Sequence, residues 1–188
     1  MPYRSDVRLP FVSSARATPS RPGAGRFGAL SLLLAATLAA GCASKPVPPM
    51  PLESLEDVGR KIAERPCENP DHIDTRPQPN LHDPKVTDEV IETHCPGWVV
   101  TVYVANGTQP PKLLPASVQL TVKHPRLPQD LQVGSSAAQV LARLGPPTVR
   151  DPAALAYRLG WDRPDGDVLR FILRQGQVAA IEWAWYVD

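Results

Sequence analysis

The sequence lacks an excess of charge of either sign. Twenty Lys and Arg stand against nineteen Asp and Glu, a formal net of +1, which gives no electrostatic footprint for nucleic acid. It also lacks a long apolar run. The stretch Gly28–Ala40 carries no charge but has only 13 residues, too few to span a bilayer as a helix. No Gly-rich phosphate loop, His-Glu-x-x-His helix or Gly-x-Ser-x-Gly elbow occurs. On that reading the protein is not an enzyme, and no catalytic, cofactor-binding or metal-binding residue is assigned. Cysteine is scarce, with three residues, and the odd number is informative. Proline is what the sequence has in quantity: 23 of 188 residues, against a usual ~5%. An apolar fraction of 43% still permits a core, so the prolines belong in loops and linkers.

Residues 1–27 hold Arg4, Arg8, Arg16, Arg21 and Arg26 against one acid, Asp6. A basic region, a short apolar region and then small residues is the layout of a secretory signal. The small residues end in Leu38-Ala39-Ala40-Gly41-Cys42. This junction resembles the lipobox of bacterial lipoproteins. The resemblance implies cleavage before Cys42, lipid on Cys42, and anchoring by several acyl chains, each buried methylene contributing about 0.8 kcal/mol. Ala43 rather than Asp after the cysteine implies, by enteric-type sorting, the outer membrane, with the chain facing the periplasm. Loss of the leader 1–41 leaves 15 basic and 18 acidic residues, net −3, so the mature surface is not built for polyanions.

With Cys42 acylated, Cys67 and Cys95 remain, and an exported pair is expected to bridge. The rival reading is a metal site using Cys67, His72, His94 and Cys95. Those spacings match no standard zinc pattern, which favours the disulfide.

Along the mature chain, residues 42–52 read as a Pro-rich tether of polyproline type. Residues 53–85 read as a short helix plus a disulfide-stapled extension. The helix is expected over 54–65, with Ser54-x-x-Asp57 as a capping box and Leu55, Val58 and Ile62 on one face. Gly59 weakens it. Residues 86–188 read as an antiparallel sheet domain. Strands are expected at 86–94, at 98–104 with Trp98, Val100, Val102 and Val104 on one face, and at Val118, Leu120 and Val122. A helix is expected at 136–144, with a Ser cap, a stripe of Ala137, Val140, Leu141 and Leu144, and Gly145-Pro146-Pro147 as its stop. Three strands follow, around Leu155–Leu159, Leu169–Leu173 and Val178–Trp185. Asp165-Gly166 and Gln175-Gly176 are the turn dipeptides between them. The fold class is therefore α+β: an antiparallel meander with one short helix packed on it, plus an N-terminal helix and Pro-rich extension.

Segment 131–185 resembles the SmpA/OmlA, or BamE-like, outer-membrane lipoproteins. The matching pieces are Gly134-Ser135-Ser136, Gln139-Val140, Leu144-Gly145-Pro146-Pro147, Tyr157, Phe171 and Gly176-Gln177-Val178. The resemblance implies a BamE-like sheet and an accessory or scaffold role in envelope assembly or maintenance, through contact with a protein partner. It transfers no functional residue. Candidate contact residues come from exposed-aromatic reasoning: Trp161 beside a hairpin loop, and Trp183 and Trp185 on the last strand. For these last two, core packing under the helix 136–144 is the favoured reading. Two other functions stay open. One is an anchored inhibitor of a lysozyme or protease, using loops 106–115 or 161–166. The other is a small-ligand or metal-binding enzyme.

Overall fold

The computed structural model describes residues 48–80, 82–160 and 166–187. Strands β1 (His72–Pro79), β2 (Thr87–Cys95), β3 (Trp98–Ala105) and β4 (Lys112–Leu120) form one antiparallel meander. Strands β5 (Val149–Asp151), β6 (Ala154–Arg158), β7 (Val168–Arg174) and β8 (Gln177–Ala184) form a second. The two join through β4 and β8 into one eight-stranded sheet, ordered β1-β2-β3-β4-β8-β7-β6-β5. Their joint is short: Ser117–Leu120 lie opposite Ala184–Ile181. Helix α1 (Leu52–Glu64) precedes the first meander, and α2 (Ala137–Leu144) lies between the two.

Alternation puts Val118, Trp183, Leu169 and Tyr157 in one cross-strand row, and Leu120, Ile181, Phe171 and Leu155 in the next. All eight are buried, and they join Leu55, Ile62 and Val140 from the helices in one core. Both helices therefore cover the same face of the sheet.

Helix α2 follows from local chemistry. The Ser136 hydroxyl accepts from Gln139 N, and the Gln139 side chain accepts from Ser136 N at 2.8 Å, a complete capping box. Gly145 stops it at φ 78°, a conformation that favours glycine. Helix α1 starts differently from expectation. It begins at Leu52 after Pro51, with no side-chain cap, and Ser54 lies inside its first turn with its backbone N donating to Pro51 O. Pro51 occupies the N-cap position, and the expected Ser54–Asp57 box does not form.

The sheet is larger than the expected meander. Strand β1 lies in the segment read as an extension, so 53–85 contributes a helix to the core and a strand to the sheet. Its pattern hid it: every residue of β1 except Gln78 is exposed, and Pro77 and Pro79 withhold backbone donors. Edge strands tolerate both features. The short β5 was missed for the same reason, all three of its residues being exposed. Strand β4 starts at Lys112, inside the loop assigned to 106–115, and ends at Leu120. Val122 lies beyond it, 40% exposed, where a Cβ on Gly97 would collide with its Cγ1. Pro115 sits where β4 bulges against β3, before β4 meets β8, so its missing N–H breaks no ladder there. Among the described residues, no helix is long and apolar enough to cross a membrane.

Candidate functional site

With helices on one face, strand parity fixes what the other face displays, and that face is open except at the Thr87 end of β2, where Asp88 and Val90 are buried. One row runs across all eight strands: His72, His94, Val99, Gln119, Glu182, Arg170, Ala156 and Val149. The adjacent row runs Asp74, Glu92, Thr101, Ser117, Ala184, Val168 and Arg158. Side chains in the middle are small or polar. Ser117 Oγ lies 3.0 Å from Thr101 Oγ1, and Arg170 pairs with Glu182 at 3.4 Å. The result is a broad surface with a polar centre.

One corner of this surface is chemically distinct. His72 and His94 are directly opposed on β1 and β2, and Asp74 and Glu92 are the next opposed pair on the same face. The two imidazoles stack, centroids 3.9 Å apart and planes within 12°. Asp74 Oδ2 lies 3.1 Å from His72 Nε2 and 3.4 Å from His94 Nε2. Glu92 Oε2 is 3.8 Å from His94 Nε2. The ligand atoms of His72, Asp74 and His94 all lie within 4.8 Å of one another. His94 Nε2 is buried and has no hydrogen-bond partner of good geometry. Among the described residues, these three side chains are placed so that they could hold a metal ion.

A second polar centre closes the far end of β2. Asp88 is fully buried. It accepts from the Tyr103 hydroxyl, from Asn80 Nδ2 at 2.7 Å and from Asn106 N at 2.8 Å. The Tyr103 hydroxyl is the main cause holding the Asp88 carboxyl below its usual range, opposed by burial. Reciprocally, Asp88 pushes the Tyr103 phenol up to about 12. Asn106 takes part through its backbone N–H. This centre is structural: it ties the loop after β1 and the turn after β3 to one carboxylate. His124 is structural too. It is buried edge-on to Trp98 at 5.5 Å, and burial lowers its pKa.

The residues singled out in the sequence fall in different places. Cys67 and Cys95 form a disulfide, which removes both thiols from the rival metal set. His72 and His94 of that set do converge, with Asp74 in place of the cysteines. Cys42 and Trp161 lie outside the described residues. Trp183 and Trp185 are 0% and 7% exposed, so they pack as the favoured reading has it, and their candidacy as contact residues is withdrawn. The helix over Trp183 is α1, not the 136–144 helix: Trp183 Nε1 donates to Leu55 O at 3.0 Å. Trp185 lies under the Arg60 guanidinium, 5.4 Å from its ring centroid. Arg60 in turn pairs with Asp167 at 3.3 Å. The signal that would have found Asp74 is the pair of motifs His72-x-Asp74 and Glu92-x-His94, which share a face only if 72–79 is a strand.

No protein-family model, curated protein or solved structure matches this chain.

Proposed function

We propose that this protein is a lipid-anchored component of the cell envelope, held at the outer membrane on its periplasmic side through Cys42. Its role on this reading is accessory: the open sheet face docks a protein of outer-membrane assembly or maintenance. The observation that carries the reading is the Leu38-Ala39-Ala40-Gly41-Cys42 junction behind an Arg-rich leader. Two further observations support it. The Cys67–Cys95 disulfide accords with an oxidising compartment. The order of α2 followed by antiparallel strands β6, β7 and β8 accords with the helix-then-meander order that the BamE-like resemblance implies. The open face is polar at its centre and continuous across eight strands, suited to a partner bound by surface contact rather than a ligand enclosed in a pocket.

The test has two arms. Cys42→Ser is expected to release the protein from the membrane fraction, and the mature wild-type N-terminus is expected to carry acyl mass. A photo-crosslinking residue at Gln119, in the centre of the open face, is expected to capture an outer-membrane assembly component from intact cells. The same residue at Ala138, on the outer side of α2, is expected to capture none. An unmodified Cys42 would end the anchor reading. Failure to recover any assembly component at Gln119 would end the docking role, and capture of a lysozyme or protease there would replace it with inhibition.

A further inference from the structure

We propose that His72, Asp74 and His94 form a binding site for a divalent transition-metal ion of the zinc type, with Glu92 as its outer neighbour. The argument begins with position. The four side chains occupy two successive opposed pairs on one face of β1 and β2, so the backbone register itself brings them together. Neither strand needs a special loop to do so.

Donor chemistry comes next. Two imidazoles and one carboxylate form a set that zinc accepts, commonly leaving a fourth position open. A tetrahedral zinc with bonds of about 2.0–2.1 Å has its ligand atoms about 3.3–3.4 Å apart. Asp74 Oδ2 already lies 3.1 and 3.4 Å from the two Nε2 atoms. His94 Nε2, buried and without a well-aligned hydrogen bond, gains a partner when the ion binds. Glu92, 3.8 Å from that nitrogen, lies close enough to orient a water in the fourth position. One adjustment is required. The rings are stacked nearly parallel, so they must splay for their lone pairs to converge. His72, with 57% of its side chain exposed, has room to turn.

The neighbourhood sharpens the choice of ion. Both cysteines near the strand ends are oxidised, so no thiolate competes. The set is imidazole and carboxylate, which suits zinc, copper(II) and nickel rather than calcium or magnesium. An ion here would cross-link the exposed edge strand β1 to β2, opposite the core face to which the disulfide ties Cys95.

The experiment uses the full mature protein, purified without a histidine tag and with its disulfide intact. Zinc is titrated in competition with a chromophoric chelator, and cobalt(II) serves as the spectroscopic probe. The expected result is one ion per chain and a visible cobalt band of tetrahedral intensity. His72→Ala, Asp74→Ala and His94→Ala are each expected to weaken zinc more than Glu92→Gln does. The Glu92→Gln loss is expected within the ~10–100-fold typical of an outer partner. His82→Ala, outside the cluster, is expected to leave the affinity unchanged. Far-UV circular dichroism identifies any variant that fails to fold, and His72→Gln, on an exposed strand position, then stands in for it. Absence of zinc binding by the wild type, or equal binding by the His72 and His94 variants, would overturn the site.

Discussion

At the scale of single residues, Asp88 shows how a polar group earns a place inside this sheet. It is fully buried, yet three donors converge on it, Asn80 from the loop after β1 and Tyr103 and Asn106 from the end of β3 and its turn. A carboxylate held this way has a folded pKa below its unfolded value near 3.9. The stability it contributes is therefore fully present above that unfolded value. It is lost as pH falls through the lower, folded value. Tyr103→Phe removes the largest cause of the shift, so the Asp88 carboxyl protonates at a higher pH in the variant. The midpoint of acid unfolding, followed by circular dichroism, is expected to move up relative to wild type. An unchanged midpoint would show that Asp88 is not coupled to folding. Nothing in the sequence marked this residue, because its donors are 8, 15 and 18 positions away and meet only once the strands have paired.

At the scale of elements, the fold was legible wherever its cause is local. The α2 cap, its apolar stripe and its glycine stop are all written within ten residues, and the helix lies where they place it. The alternating strands β3, β6, β7 and β8 were legible because one face of each carries the buried apolar residues. Strand β1 was not, because an edge strand with both faces exposed has no hydrophobic alternation to read. The histidine cluster was lost with it, since His72 and Asp74 share a face only in a strand. What the sequence did offer for this region was the pairing of Cys67 with Cys95. The bridge fastens the connection between α1 and β1 to the end of β2. It closes a loop with a sequence separation of 28, for which loop entropy gives about 3–4 kcal/mol. A Cys67→Ala/Cys95→Ala double variant is expected to lose about 3 kcal/mol in urea denaturation. Its amide exchange is expected to rise first in β1, which has lost its fastening at one end. Exchange that rises evenly over all eight strands would show instead that β1 is held by the sheet alone.

At the scale of the whole molecule, the two meanders become one body at a seam of four residue pairs, and Trp183 stands on it. On one side Trp183 is paired with Val118 of β4, and on the other with Leu169 of β7. Helix α1 lies over the indole, which is completely buried and hydrogen-bonded through Nε1 to Leu55 O. The approach is possible because residue 59 is glycine: a Cβ there would stand 2.7 Å from Trp183 Cδ1. The sequence presents Gly59 as a weak point of a helix, and the two views predict opposite signs. If Gly59 were only a helix residue, Gly59→Ala would raise stability by about 1 kcal/mol through propensity. If Gly59 is the seat of the indole, the added methyl must displace a pinned, fully buried ring, and overpacking of that kind costs about 1–3 kcal/mol. Ring and helix cannot both give way, since Val118 and Leu169 flank the ring and the Leu55 carbonyl holds its edge. Gly59→Ala is therefore expected to destabilise the protein in urea. Because the seam joins both meanders, indole fluorescence and far-UV circular dichroism are expected to shift together, in one transition. A more stable Gly59→Ala variant, or a fluorescence change that precedes loss of the sheet, would show that α1 rides on the sheet without holding its halves together.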